Sequence, residues 1–281
     1  MIVTRFAPSP TGYLHLGHAY AARCAAGAGD RFLLRIEDLD MSRAREDFVA
    51  AIFEDLAWLG LSWERPVLRQ SRRSAAYRAA LEKLESFSYP CFCTRKEIAE
   101  DVAGAALAPH PPLPGDPEAR LYPGTCRSLC AAERARRIEE GAPYALRLDW
   151  AKAADHVGVL TFSEHGRTVE VQPSRLGDLV LARKDLPASY HLAVVVDDAA
   201  QGVNLVTRGE DLLPTTHAQR LIQALLGYSP PSYAHHPLLL DGKGRKFSKR
   251  DQSPTLRSLR ATGASPAGLE ELFQRYLRPA G

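Results

Sequence analysis

His15-Leu16-Gly17-His18 sets an imidazole at each end of a four-residue motif that contains a glycine. The motif follows an apolar run, Met1 to Phe6, which stops at Ala7-Pro8-Ser9-Pro10; the two prolines and Gly12 force the chain to turn. From Leu14 to Ala28 alanine, leucine and arginine dominate, a helix-forming composition. The two histidines therefore belong at a helix N-terminus, where unpaired N–H groups and the helix dipole attract anions, and Gly17 lets a ligand approach the backbone. Polyphosphate is the expected guest. A second cationic stretch, Lys246-Phe247-Ser248-Lys249-Arg250, follows a glycine-containing loop and offers Lys246 and Lys249 as mobile charges for β- and γ-phosphates. Alone, each motif is weak, since a histidine pair is more often structural and a basic turn more often merely solvated. Together, in this order and with Arg5 to Gly12 directly before the first, they form a joint signal.

Metal chemistry is the other possibility in the side chains. Cys91-Phe92-Cys93 and Cys126 offer three thiolates, and zinc takes four ligands. Cys130, four residues past Cys126, is a candidate for the fourth place. Buried free cysteines are the plain alternative, and Cys24 reads as core.

The elements that must carry these groups follow from pattern. Strand-like Ile2–Phe6, the first helix and Arg31–Ile36 make a βαβ unit, the opening of a doubly wound parallel sheet. Ser42 is a candidate cap for a helix carrying Phe48, Ile52, Phe53, Leu56 and Leu59 at a 3.6-residue period, and a second helix is expected over Ser71–Leu84. Gly104 to Pro117 has no hydrophobic period and reads as a long loop; an Arg/Glu-rich helix follows over Leu129–Glu140. Strands are expected at Tyr144–Leu148, Val157–Phe162, Val169–Val171, Leu179–Leu181, Asn204–Thr207 and Pro237–Leu240. Leu192–Val196, the most apolar run, is expected to be a central buried strand, and a helix covers Thr216–Leu226. The expected fold is α/β: a Rossmann-type core in two halves, residues 1–90 and 176–253, interrupted by a segment at 91–175 and closed by a helical tail at 254–281.

Composition sets the outer limits. The 281 residues suffice for a full core, and 36 basic against 33 acidic residues leave +3, compatible with an RNA partner without arguing for one. No apolar run approaches membrane-spanning length, and five cysteines, an odd number, do not suggest a disulfide framework. The expectation is a cytoplasmic monomer with no membrane association.

At this point a resemblance enters. His15-Leu16-Gly17-His18 resembles the "HIGH" motif of class I aminoacyl-tRNA synthetases, and Lys246 to Arg250 resembles their "KMSKS" motif, with Phe247 and Arg250 in place of Met and Ser. Arg5 to His18, together with Arg35-Ile36-Glu37-Asp38-Leu39-Asp40, is similar to the glutamyl branch of that class. Chain length and the Cys91/Cys93 pair point to its short members, which lack an anticodon-binding domain. That resemblance implies a class I catalytic core that activates L-glutamate with ATP and Mg2+ and passes it to the queuosine base in the anticodon loop of tRNA(Asp). It implies as well that these members activate glutamate without RNA, whereas full-length glutamyl synthetases need their tRNA. A compact synthetase charging a tRNA 3′ end, and a non-catalytic zinc-containing RNA-binding module, are the alternatives.

The substrate fits the charges. Glutamate carries two carboxylates and an ammonium; Arg5 and Arg208 are natural carboxylate partners, Glu37 suits the ammonium and Tyr190 offers a phenol donor. By resemblance the glutamate site falls on Arg5, Phe6, Ala7, Pro8, Ser9, Glu37, Tyr190 and Arg208. Catalysis falls on His15, His18, Lys246 and Lys249, and the ATP site on His15, Gly17, His18, Glu210 and Lys249. The family's zinc site resembles Cys-x-Cys followed by Tyr-x3-Cys, here Cys91, Cys93, Tyr122 and Cys126, holding one structural zinc per chain, with Cys130 the rival for the place of Tyr122.

Overall fold

The computed structural model describes residues 1–94, 96–98, 122–172, 177–241, 244, 247 and 254–277. Lys246, Lys249 and Arg250, and the loop expected at 104–117, lie outside the described residues.

The chain opens as alternating strand and helix. β1 (Val3–Phe6) leads through α1 (Leu16–Ala28) to β2 (Arg31–Ile36), and α2 (Glu46–Trp58) leads to β3 (Glu64–Arg69). The three strands pair in parallel, in the order β1-β2-β3. Further along, β9 (Leu205–Gly209), α7 (Leu213–Leu225) and β10 (Ser232–His236) form a second parallel unit. Its sheet is extended by the hairpin of β6 (Thr161–Glu164) and β7 (Arg167–Glu170), giving the order β7-β6-β10-β9. The two sheets meet along β1 and β9. Asn204 N–H donates to Val3 O at 3.2 Å, Val3 N–H donates to Asn204 Oδ1 at 2.8 Å, and Arg5 Nη1 donates to Thr207 O at 3.2 Å. Strand order thus runs outward in both directions from this seam. In open α/β sheets the crevice outside the carboxyl ends at such a seam is where ligands bind.

A third, antiparallel sheet joins β4 (Ser88–Cys91), β5 (Ala145–Leu148) and β8 (Val180–Arg183), with α4 (Ala131–Glu139) leading into β5. The residues of 91–175 are therefore shared between two sheets: β5 pairs with β4 and β8, while β6 pairs with β10. After the second basic motif, α8 (Leu256–Ala261) and α9 (Gly268–Tyr276) pack Leu256, Leu269 and Phe273 into the core beside α1. Leu256 N–H donates to Leu14 O at 2.8 Å, which ties this tail to the residue before His15.

Alternation along β2 divides the core. Phe32, Leu34 and Ile36 face one apolar cluster with α1 and α2, and Leu33 faces the other with α3 (Ser74–Lys83) and α6 (Tyr190–Ala200). Arg35 shares the second face and is fully buried there.

Leu192–Val196 is helical and not a strand: it lies inside α6, whose N-terminus is capped by Ser189 Oγ, the acceptor for Leu192 N–H. A helix apolar on every side is buried, and such a run has no period that separates it from a strand. Pro237–Leu240 is likewise not a sheet strand; β10 ends at His236, and Leu239 makes only an isolated bridge with Leu277. Val157 closes α5 (Trp150–Val157), and the strand begins at Thr161. Ser42 caps no helix: its hydroxyl donates to Asp40, while Arg45 stands at the N-cap of α2. Strands β3 and β4 have no counterpart in the expected pattern, because a proline interrupts each of them.

One buried carboxylate stands out in α2. Asp55 is 1% exposed and its nearest cation, Arg260, is 3.8 Å away. Burial outweighs that attraction and pushes its pKa up from 3.8 to about 6. The folded state therefore holds this proton more tightly than the unfolded chain, so the contribution of Asp55 to stability is best below pH 3.8 and declines as pH rises through 6. Asp55→Asn is expected to stabilise the protein at pH 7.5 by about 1–3 kcal/mol. The gain should shrink toward zero near pH 4, and urea unfolding at the two pH values checks it.

Candidate active site and cysteine cluster

Arg5, Glu37 and Arg208, three of the residues singled out in the sequence, lie near the β1/β9 seam. Arg5, inside β1, is 5% exposed. Its Nε donates to Asp198 Oδ1 at 3.0 Å, and Asp198 also accepts from Arg35 Nη1 at 2.7 Å. Arg35 Nη2 lies 3.4 Å from Glu37 Oε1, so two guanidiniums and two carboxylates form one buried chain. Burial pushes Glu37 above the ordinary carboxylate range against the pull of Arg35 and Arg5. For Asp198 the two arginines win over burial, and its pKa is lowered. The turn that follows β1 is pinned beside them, because Glu37 N–H donates to Pro8 O at 3.0 Å. Phe6 and Pro8 are buried, Ala7 is half-buried and Ser9 is exposed at the crevice edge.

Arg208, in β9, is 6% exposed and differs from Arg5 in its partners. Its Nε donates to His235 Nε2 at 3.0 Å, Nη1 to Gln219 Oε1 at 2.7 Å and Nη2 to Thr216 Oγ1 at 2.7 Å. All three partners are neutral at pH 7, since burial and the Arg208 charge hold His235 down at about 4. Among the described residues no carboxylate lies within 4 Å of Arg208. A buried cation with only neutral partners is a costly arrangement unless an anion joins it. Tyr190 is 38% exposed at the start of α6.

The phosphate side is built at the start of α1. His15 is its N-cap, and the rings of His15 and His18 are 3.8 Å apart, centroid to centroid. His15 N–H donates to His18 Nδ1 at 3.2 Å. That acceptor role places the His18 proton on Nε2 and makes this nitrogen a donor. A Cβ on Gly17 would sit 3.2 Å from His15 Cε1 and 3.7 Å from Phe247 Cβ. Any larger residue there presses on the imidazole. The same contact brings Phe247, between the two lysines of the second motif, against the first motif. Glu210 is exposed just past the end of β9.

Three thiols gather elsewhere. The Sγ atoms of Cys91, Cys93 and Cys126 all lie within 4.8 Å of one another. Tyr122 completes the group: its hydroxyl is 3.6 Å from Cys93 Sγ and accepts from Cys126 N–H at 2.7 Å. Phe92 N–H donates to Cys126 Sγ at 3.3 Å, and the Arg147 guanidinium stacks 3.9 Å above the Tyr122 ring. Cys130, the rival ligand, is the exposed N-cap of α4 and lies outside this cluster. Soft thiolates in this number suit zinc, and the Tyr122 hydroxyl lies beside them as a further donor atom. The donor set fits that metal.

The comparisons with known proteins agree with this geometry. Residues 1–276 match the family model described as tRNA synthetases class I (E and Q), catalytic domain. A protein of Rhodobacter capsulatus named Glutamyl-Q tRNA(Asp) synthetase is 46% identical, over 97% of this chain and 99% of its own length. One of the same name from Nocardia farcinica is 45% identical, over 93% of this chain and 80% of its own. The chain belongs to the class I (E and Q) tRNA synthetases and, among them, to the glutamyl-Q tRNA(Asp) synthetases. The family is one of ligases. The crystal structure of a glutamate-tRNA synthetase from Elizabethkingia anophelis superposes with a TM-score of 0.72 at 30% identity, over 89% of this chain. This chain spans about half of that protein, 53% of its length.

Family membership accounts for the parallel catalytic core and leaves the supporting residues to be read from the structure. Asp198, Thr216, Gln219 and His235 contact the two buried arginines, with Arg35 and Glu164 behind them, and of these only Arg35, within Arg35–Asp40, drew notice in the sequence. A signal existed for one of them: Asp197-Asp198 closes the most apolar run, and paired acids in such a place need partners. Asp197 faces Gln70, Arg73 and Tyr77 instead, at 2.9, 3.0 and 2.8 Å. Among the described residues no helix is long and apolar enough to cross a membrane.

Proposed function

We propose that the protein activates L-glutamate with ATP and transfers the glutamyl group to the queuosine base in the anticodon loop of tRNA(Asp). The observation that carries this reading is Arg208, a buried guanidinium held by three neutral groups with no carboxylate in contact among the described residues. One glutamate carboxylate supplies the missing anion. Arg5 reaches the other through Nη2, which makes no hydrogen bond among the described residues, and Glu37 faces the ammonium. In the first step an α-carboxylate oxygen attacks the α-phosphorus of ATP, the bond to pyrophosphate breaks, and glutamyl-adenylate forms. His18 Nε2 and the N-terminus of α1 stabilise the negative charge that builds on the phosphate. Lys246 and Lys249 take the β- and γ-phosphates with Mg2+, and Glu210 lies on the adenosine side. In the second step a nucleophile of the base attacks the glutamyl carbonyl and AMP leaves. The acceptor is the one for which the relatives from Rhodobacter capsulatus and Nocardia farcinica are named.

The cysteine cluster holds one structural zinc through Cys91, Cys93, Cys126 and Tyr122. Bound there, the metal supplies a cross-link between the end of β4 and the segment before α4, and takes no part in the chemistry. Metal analysis of the purified protein should find about one zinc per chain. Chelation should lower the thermal midpoint and expose 122–130 to protease; a metal-free protein with an unchanged midpoint would count against the site.

The deciding experiment is glutamate-dependent ATP–pyrophosphate exchange with no RNA present, followed by transfer of labelled glutamate to queuosine-containing and queuosine-lacking tRNA(Asp). Exchange without RNA and labelling of only the modified tRNA is the expected result. Exchange that needs tRNA(Glu), with label on its 3′ end, overturns the acceptor; no exchange under either condition overturns the enzyme.

A further inference from the structure

The β6/β7 hairpin packs on β10 at Tyr233 and His235, and His235 in turn meets Arg208. His165 and Gly166 form the two-residue turn, both with positive φ (48° and 75°), the geometry of a type I′ hairpin. A histidine in that region is uncommon and is held here by its surroundings. Its Nε2 donates to His235 O at 2.8 Å, and its backbone N–H donates to Tyr233 O at 2.9 Å. The turn thereby locks the hairpin against β10.

This lock delivers Glu164 to His235. Glu164 Oε1 accepts from His235 N–H at 3.0 Å, and Oε2 accepts from His235 Nδ1 at 2.7 Å. The far nitrogen of the same ring, Nε2, accepts from Arg208 Nε at 3.0 Å and lies 3.4 Å from Thr216 Oγ1. An imidazole can accept at Nε2 only while its proton sits on Nδ1. A carboxylate at Nδ1 enforces that tautomer. His235 is 7% exposed, and burial with the neighbouring Arg208 holds it neutral, with a pKa near 4. The carboxylate of Glu164 is thus separated from the guanidinium by one neutral ring, close enough to orient it and too far to neutralise it by contact.

We infer that Glu164 and His235 are positioning residues for Arg208: Glu164 fixes the Nδ1–H tautomer of His235, and the Nε2 lone pair so aimed sets the plane of the guanidinium that receives the glutamate carboxylate. The inference rests on the glutamate reading of Arg208 given above. It explains why a hairpin that follows the cysteine-bearing segment is stitched to the catalytic sheet at Glu164 and not left on the antiparallel one.

The test is a pair of substitutions read by ATP–pyrophosphate exchange. Glu164→Gln replaces one acceptor oxygen by a donor, so the backbone N–H and the ring Nδ1–H of His235 can no longer both be accepted. The KM for glutamate should rise about tenfold, while the KM for ATP stays within about twofold. His235→Gln presents a carbonyl acceptor at the place of Nε2 with no tautomer to control. It should give a smaller rise, and Glu164→Gln added to it should produce no further one. A merely structural hairpin predicts instead that Glu164→Gln acts equally in both backgrounds, moves both KM values together and follows the thermal midpoint; that pattern overturns the inference. Imidazole 15N spectra of the unaltered protein provide a readout independent of folding of the variants: His235 must show a protonated Nδ1 and a bare Nε2, and the opposite tautomer overturns the inference. An Arg208→Ala variant separates the two levels. If it leaves the glutamate KM unchanged, the glutamate reading falls; if it raises that KM while Glu164→Gln does not, only the relay falls.

Discussion

Arg208→Ala is expected to raise the glutamate requirement of ATP–pyrophosphate exchange by roughly 30- to 5,000-fold and to leave the ATP requirement nearly unchanged. The magnitude follows from the about 2–5 kcal/mol that a buried charge pair typically loses when one partner is cut away. Specificity for one substrate follows from position. Arg208 lies next to the end of β9 at the seam, and its hydrogen-bond partners are Thr216, Gln219 and His235, none of them in the His15–His18 motif. The variant leaves those polar groups with a void, so a lower thermal midpoint is expected alongside the kinetic effect. Arg208→Lys separates the two. Lysine retains the charge but cannot reach three partners with a planar fork, so its midpoint should recover more than its glutamate KM. Equal rises in both substrate requirements would remove Arg208 from the glutamate site.

Lys249→Ala should act on the rate and not on glutamate binding. Loss of one donor aimed at transition-state charge costs about 2.7–4 kcal/mol, which corresponds to roughly 100- to 1,000-fold in the exchange rate. The structural support comes through Phe247, which meets Gly17 and stacks edge-on against Tyr276 at 5.1 Å. Phe247, within the second basic motif, thereby lies against the helix terminus that carries His15 and His18. An unchanged exchange rate at saturating substrates would detach the lysine from phosphate chemistry.

Motif, spacing and charge read well from the chain where the physics is local. Turn residues after β1, a helix-forming run behind them and alternation along Arg31–Ile36 place the two histidines at the start of α1 without any tertiary information. Where one physical cue serves two structures, the reading failed. Leu192 to Val196 suits a buried strand and a buried helix equally, because neither needs a polar face. What decides is packing: as a helix, α6 turns Asp197 toward α3 and Asp198 toward Arg5 and Arg35, a divergence of successive residues that serves both clusters. Pro237–Leu240 is apolar enough for a strand but meets α9 instead, with Leu240 N–H donating to Tyr276 O at 2.9 Å.

By itself the sequence determined which groups are present for chemistry: two histidines at a helix start, a basic motif after a glycine-containing loop, arginines for carboxylates and a Cys-x-Cys pair. These are properties of residue type and short spacing, and local backbone preference is enough to express them. The tertiary structure decided what those groups are able to do. It sets Arg5 against Asp198 across 193 positions of chain and surrounds Arg208 with the neutral Thr216, Gln219 and His235. It brings Cys126 to the Cys91 pair, and it carries Glu164 to His235 across 71 positions. Charge balance, tautomer and metal geometry depend on atoms a few ångströms apart that no local preference brings together, so only the packed fold can settle them.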